Sequence, residues 1–402
     1  MANTHLSQAT LSEHNRSRVL HHLYRHGVES RANIAKALDL TPAAITKITA
    51  KLLDAGVIEE TGDLEGARNR RSIGLHLNTA KFHVASVKFA RSLVQINVFD
   101  LAGTEIHSEE LTSIEHTEIP QTIATIHERL DALLRDDPQI IAIGMAVPGP
   151  YLRREGRTAM VSSMQEWRSV NFIDEFSQAF RVPVFMEQDA RAGALAYRLF
   201  DAAHENRHLA YYLIGEGVGL GVIDHDDTIN GELGAATEIG HVSIDMNGRE
   251  CECGNRGCLE RYCSAVAIHD ELNARPELVP NSASLTHRKA CNALFELANS
   301  GNSDAIELVQ RIGTYVGYGC VTIINAFNPK RIIIGDIVSG GGELLLSAVQ
   351  RVVNERVIPE LAARTTIMLS ELPADATVTG GAAVAIEALL SHPGAFMDDL
   401  AS

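Results

Sequence analysis

Over the first 80 residues, apolar positions recur at spacings of three and four, the period of short amphipathic helices. From Phe82 onward, β-branched runs alternate with helical patterns, as in an α/β protein. A boundary near residue 80 follows, with one unit over 1–80 and a larger one over 81–402. In the first unit, Asn15 is expected to cap a helix whose inner face is Val19, Leu20 and Leu23 and which ends near Gly27. Ser30 caps a second helix, carrying Ile34 and Leu38. Thr41 followed by Pro42 starts a third: the hydroxyl accepts an otherwise unpaired N–H, and proline at the first helical position forfeits no hydrogen bond. Its inner stripe is Ile45, Ile48 and Leu52, and Gly56 closes it. A strand (VIEET), a tip rich in Gly and Asp (GDLEGARNR) and a returning strand (SIGLHL) complete a winged helix-turn-helix.

The larger unit opens with two strands, FHVASVKFA and SLVQINVFD, then a helix near 119–134 and the strand QIIAIGMAVPGP. The Pro-Gly-Pro exit places backbone at the C-terminal edge of a sheet, the usual ligand side in open α/β folds. After a helix near 171–180, VPVFMEQDARAGALA is a strand that empties into an acidic turn and a helix. HLAYYLIG, GEGVGLG, NPKRIIIGDIVSGGG and ATVTGGAAVAI repeat the pairing of an apolar strand with a Gly-rich turn. Two α/β lobes around a cleft are expected, one over about 81–190 with a C-terminal helix near 380–400, the other over about 191–379.

At 402 residues and a formal charge of −16, the chain is not an obvious nucleic-acid binder, since phosphate attraction needs a basic footprint. Divided by segment, however, residues 1–82 carry +3 and the remainder −19. The outer face of the third helix presents Ala43, Thr46, Lys47, Ala50 and Lys51 after Thr41, short or basic side chains suited to close approach in a major groove. Arg68, Arg70 and Arg71 in the wing are placed for phosphate or the adjacent minor groove. Double-stranded DNA is thus the expected partner, with a helical protein-docking module as the alternative. No stretch is long and apolar enough for a membrane span, and the N-terminus lacks a secretory core, so a cytoplasmic protein is expected.

Three of the six cysteines fall within eight positions. His241, Cys251, Cys253 and Cys258, with Gly254 and Gly257 permitting tight reversals, describe a closed structural zinc site. Cys263 is a rival ligand, discounted because it belongs to the following helix; Cys291 and Cys320 read as small buried apolar residues.

AVPGP at 146–150, EQDA at 187–190, EIGH at 238–241 and CECGNRGCLE at 251–260, behind a winged helix at 15–78, resemble the ROK family of repressors and sugar kinases, and in particular its repressor branch. The resemblance implies an actin-like (sugar kinase/ribonuclease H-like) two-lobed domain and zinc on His241, Cys251, Cys253 and Cys258. It implies a sugar or sugar phosphate in the cleft, held by Asp189, Glu238, His241 and Glu260 with Gln188 and Gly149 beside it. Ionised carboxylates accepting from vicinal hydroxyls suit that role. His241 would serve zinc with one nitrogen and sugar with the other.

Where kinases of the family carry Asp-x-Gly-Gly-Thr, this chain has Lys88, Phe89, Ala90, Arg91 and Ser92. Glu216 stands in the second Gly-rich loop, and Asp336 interrupts a Gly pair near the nucleotide base. An enzyme is therefore not expected, although Asp189 is retained as a potential general base. Gln188, Arg191 and Ser163 depart from the usual sugar-pocket Asn residues; Arg191 reads equally as a phosphate contact or an interlobe ion pair. The expected whole is a sugar-responsive repressor, a homodimer or dimer of dimers on a near-palindromic operator. The alternatives are a sugar kinase with a DNA-binding extension and a repressor governed by a protein partner.

Overall fold

The structure is a computed structural model that describes residues 8–65, 71–89, 93–111, 119–159, 165–201, 207–372 and 375–396. Arg68, Arg70, Ser163 and residues 90–92 lie outside the described residues. The chain starts with α1 (Gln8–His26), β1 (Glu29–Ser30), α2 (Arg31–Leu38), α3 (Pro42–Asp54), β2 (Ile58–Glu65) and β3 (Arg71–Leu77), the strands ordered β1-β3-β2. Ser30 Oγ accepts from Asn33 N at 3.2 Å, and Thr41 Oγ1 from Ala44 N at 3.2 Å, so both expected caps close their helices. The turn between α2 and α3 passes through Asp39 in left-handed backbone at φ 52°. Asn15 is not a cap. The helix begins upstream at Gln8, and the Asn15 amide oxygen accepts from Arg18 one turn on, at 3.4 Å, instead of from a backbone N–H.

The next stretch forms β4 (His83–Phe89), β5 (Val94–Asp100), β6 (Glu105–Leu111), α4 (Ile119–Asp136), β7 (Ile140–Val147), the short pair β8 (Tyr151–Leu152) and β9 (Arg157–Thr158), α5 (Phe172–Phe176), β10 (Val184–Gln188) and α6 (Asp189–Phe200). Its sheet runs β10-β7-β4-β5-β6, parallel over the first three strands and antiparallel over the rest. Asn171 caps α5, which stops at Phe176, short of the helix expected to residue 180. The second lobe has β11 (His208–Ile214), β12 (Val218–Asp224), β13 (Asp227–Thr228), α7 (Glu260–Cys263), α8 (Ala265–Asn273), α9 (His287–Asn299), α10 (Ser303–Phe327), β14 (Arg331–Gly335), α11 (Gly342–Arg356), α12 (Pro359–Ala362) and β15 (Thr366–Leu369). Its sheet, β13-β12-β11-β14-β15, again joins an antiparallel half to a parallel one.

The segment ATVTGGAAVAI, expected as a strand and turn, is instead the start of α13 (Ala376–Ser391). Its Thr, Val and Gly residues imitate a strand pattern, but the glycines serve a close helix approach. A Cβ on Gly144 of β7 would lie 1.8 Å from the Gly381 carbonyl, and one on Gly380 2.4 Å from the Ala192 backbone of α6. α6 and α13 thus pack backbone to backbone at the seam between the lobes.

The apolar core of the winged helix continues into the first lobe. Val19, Leu20, Leu23, Ile45, Ile48 and Leu52 are buried in one cluster with Val84 and Phe99 of the first lobe's sheet and with Val378, Ile386 and Leu389 of α13. The Tyr24 hydroxyl adds a hydrogen bond to the Leu101 carbonyl at 3.1 Å. Non-directional burial of this kind favours a docked unit over a tethered one. The second lobe has its own core around Ile268, Leu294, Ile312, Ile323, Ile332 and Val349. Among the described residues no helix is long and apolar enough to cross a membrane.

Candidate interlobe site and metal centre

The loop after β13 turns back twice. Glycine is required at Gly257, where φ is +70° and a Cβ would lie 1.7 Å from the Asp245 carbonyl; the reversal pairs Ser243 with Cys258 across an isolated bridge. His241, Cys251, Cys253 and Cys258 each bring one ligand atom within 4.8 Å of the others. The sulfurs of Cys253 and Cys258 are 3.6 Å apart, and Cys251 Sγ is 3.8 Å from His241 Nδ1. A tetrahedral ion with metal–sulfur bonds of about 2.3 Å separates its sulfurs by roughly 3.7–3.8 Å, so the four groups fit a metal as they stand. Cys263 stands apart, buried, its thiol turned to the Leu259 carbonyl at 3.5 Å. Cys291 and Cys320 are fully buried in the second lobe's core.

Three carboxylates share the cleft beside this loop. Asp189 opens α6; Glu238 precedes the one-turn segment Ile239–His241; Glu260 opens α7 and accepts from Val218 N at 3.1 Å. Gly149 and Gln188 lie with them: a Cβ on Gly149 would meet Gln188 Cγ at 2.6 Å, and one on Gly219 would meet Gln188 Nε2 at 3.2 Å and Asp189 Oδ1 at 3.7 Å. Glu238 Oε1 is buried with no hydrogen-bond partner among the described residues. Burial pushes the Glu238 carboxyl up to about 8; Arg191 opposes the rise, and Asp189 and Glu260 add to it. Burial likewise raises Asp189 to about 6, against the pull of the Ala190 N–H and Lys88. A single unsatisfied buried carboxyl oxygen of this sort favours a ligand that brings a hydroxyl to pair with it.

Arg191 is fully buried and committed to the protein: it meets Glu187 Oε1 at 2.9 Å, and its other donors reach the Gly234 and Ala236 carbonyls. Neither expected reading holds as stated: the ion pair is made within the first lobe, to Glu187 of β10, and it is the hydrogen bonds to the Gly234 and Ala236 carbonyls that join α6 to the second lobe's loop. Arg153, on the β8–β9 turn, pairs with the same Glu187.

Deeper between the lobes is a group of charges that sequence reasoning did not assemble. Lys88, at the end of β4 and only 6% exposed, lies 2.8 Å from Asp375 and 3.7 Å from Asp336. Asp336 also pairs with Arg288 of α9 at 2.9 Å, while Asp375 caps α13 by accepting from Thr377 N at 2.8 Å. Burial works against the Lys88 charge, but Asp336 and Asp375 outweigh it and hold its pKa above the ordinary lysine value. Glu216, in the Gly-rich turn between β11 and β12, pairs with His287 at 2.7 Å. Asp375 carried no local signal, because its partner is 287 positions away in the chain.

On α3, Ala43, Thr46, Lys47, Ala50 and Lys51 are all exposed, as is Thr41. The Thr46 hydroxyl donates to the Pro42 carbonyl at 2.9 Å. Arg71 is the first residue of β3.

A winged helix-turn-helix fused to a two-lobed, sugar-kinase-like body with a Cys3His loop is the layout of a sugar-kinase-derived transcriptional regulator. The ROK family pattern matches residues 84–388, and the chain belongs to that family. A xylose repressor of Bacillus spizizenii is 27% identical, over 95% of this chain and 97% of its own length. The DNA-binding transcriptional dual regulator NagC of Escherichia coli K12 is 29% identical, over 87% of this chain and 86% of its own. The crystal structure of a ROK family transcriptional regulator, a homologue of the E. coli MLC protein, superposes with a TM-score of 0.81 at 25% identity, covering 97% of this chain and 99% of that one. A ROK family glucokinase from Streptomyces griseus, solved with glucose and AMPPNP, shares the fold at TM-score 0.66 and 22% identity, over 75% of this chain and 99% of its own.

Proposed function

We propose that the chain is a sugar-responsive repressor of carbohydrate genes, with a monosaccharide or sugar phosphate in the cleft controlling operator affinity. The observation that carries this reading is the continuity between cleft and DNA-binding face: α13, at the interlobe seam, belongs to the same buried cluster as α1 and α3. Asp189, Glu238 and Glu260 accept sugar hydroxyls, with the unpartnered Glu238 Oε1 taking one of them. The relatives named as xylose repressor and transcriptional dual regulator support the assignment of class. Zinc on His241 Nδ1, Cys251, Cys253 and Cys258 would stabilise the loop as a structural ion; the imidazole's Nε2 then serves the sugar side, so loop and ligand share one ring.

Sugar kinase activity is not part of this reading. Phosphoryl transfer needs open Gly-rich turns and a metal-binding Asp near the phosphates. Here that region holds Lys88, Asp336, Asp375 and Arg288 paired among themselves, with Glu216 adding negative charge. On DNA, a symmetric dimer places one α3 in each half-site, an integral number of turns apart, about 34–36 Å per turn. Sugar closing the cleft shifts α13 and with it the spacing of the paired α3 helices; a coupling of ~1–3 kcal/mol changes operator affinity roughly 5–150-fold.

A thermal-shift panel of monosaccharides and their phosphates identifies the effector by mass action, and a gel-shift titration then reads its effect on DNA. The expected result is one sugar class that raises Tm and alters operator affinity. DNA affinity indifferent to every sugar, with a protein captured instead, would move the reading to control by a protein partner; sugar-stimulated ATP hydrolysis would overturn the non-enzymatic assignment.

A further inference from the structure

The second lobe carries another group of metal-competent side chains, at the end of its sheet where β11 begins and β12 ends, outside the Cys3His loop. His208 opens β11 and sits directly across from Asp224, the last residue of β12. Its Nδ1 is 2.8 Å from Asp224 Oδ1, and Nδ1 of His225 is 3.0 Å from the same oxygen. The two imidazoles stand edge to face with centroids 4.5 Å apart, and the three ligand atoms lie within 4.8 Å of one another. Backbone geometry holds the arrangement: His225 and Asp226 occupy left-handed conformations at φ 50° and 75°, unusual for side-chain-bearing residues, which turn His225 back over Asp224.

We propose that His208, Asp224 and His225 form a solvent-open site for a divalent transition metal of the zinc class. Two imidazoles and one carboxylate, with water completing the shell, are ligands that zinc, cobalt and nickel accept. In a tetrahedron with bonds of about 2.1 Å, ligand atoms are roughly 3.4 Å apart, so binding requires the present 2.8 and 3.0 Å contacts to open by about half an ångström. On binding, Nδ1 of each imidazole gives up its contact with Asp224 for a nitrogen–metal bond; a neutral ring protonated at Nδ1 shifts that proton to Nε2 through solvent, and a doubly protonated ring releases its Nδ1 proton to solvent and keeps the one on Nε2. The side facing solvent makes this an exchangeable site, unlike the closed Cys3His loop.

Its position gives occupancy a consequence. Asp226, the next residue, pairs with Arg25 of α1 at 2.7 Å, and its carbonyl accepts from Arg198 of α6 at 2.8 Å. A metal bridging β11 to this turn would stiffen a point at which the second lobe touches the DNA-binding unit.

The full-length chain is dialysed against micromolar free zinc, and bound metal per chain is measured by atomic emission for the native protein and the H208A/H225A variant. The expected result is one equivalent fewer in the variant, with a zinc-dependent rise in Tm present in the native chain and reduced in the variant. Equal metal content in the two proteins would overturn the proposal. Because the readout is their difference, it is independent of whether the Cys3His loop is loaded. A Cys253→Ala chain that keeps the extra equivalent would separate the sites further; if that variant fails to fold, the native-to-H208A/H225A difference still decides.

Discussion

Replacing Lys88 by Met tests the charge group that occupies the deep cleft. The substitution keeps the length of the side chain and removes its charge, leaving the Asp375 and Asp336 carboxylates facing each other, with only Arg288 of the described cations still paired to Asp336. At an effective dielectric of about 20, opposite charges at 2.8 Å attract by about 6 kcal/mol and at 3.7 Å by about 4.5 kcal/mol, most of it offset by the cost of desolvating the three groups. Breaking such a buried pair from one side costs roughly 3–5 kcal/mol, because the uncompensated charge stays behind. Asp375→Asn is the complementary change, since Asn still caps α13. Urea unfolding of the native chain, both single variants and the double variant at pH 7 gives a double-mutant cycle, with unfolding rates recorded alongside because a chain of several cores need not unfold in two states. The double variant is expected to be less destabilised than the sum of the singles by about 1–3 kcal/mol. Additive singles, or a Lys88→Met loss below about 0.5 kcal/mol, would refute the claim that this pair ties β4 to α13.

Glu238→Gln should change the pH dependence of stability. The folded pKa of about 8 lies above the ordinary 4.5, so between those values the native state holds a proton that the unfolded chain has released; stability from this group is complete below about 4.5 and lost as pH rises through 8, a slope worth a few kcal/mol that the Gln variant should flatten, most clearly between about pH 7 and 8, above the titration of Asp189 near 6. Cys253→Ala should lose the metal of the Cys3His loop and lower Tm, and chelation of the native chain should reproduce the drop; an unchanged metal content would exclude Cys253 as a ligand. Lys47→Ala and Lys51→Ala should each weaken operator binding across all sequences and reduce the slope of log affinity against log salt by about one, read by fluorescence anisotropy in a salt series, and an unchanged slope would remove that lysine from the phosphate contacts.

Local patterning carried much of this protein. The caps at Ser30 and Thr41, the inner stripe of α3 and the Cys251–Cys258 cluster are short-range features, written in spacing and side-chain chemistry, and they stand in the structure as the sequence implies. Charge could be divided at residue 82 by counting alone. What the sequence could not determine depends on distance along the chain. The Thr-Val-Thr-Gly-Gly run has the composition of a strand and turn, and only the backbone approach of Gly380 to Ala192 and of Gly381 to Gly144 makes it a helix at the seam. Lys88 looked like the loss of a phosphate loop; its pairing with Asp375 and Asp336 needs both lobes folded to bring residues 88, 336 and 375 within a few ångströms. The winged helix read as a separate unit because its stripe is amphipathic in isolation, yet burial against α13 makes it part of the first lobe's core. Periodicity specifies which face of a helix is apolar, but only tertiary structure decides what that face is buried against.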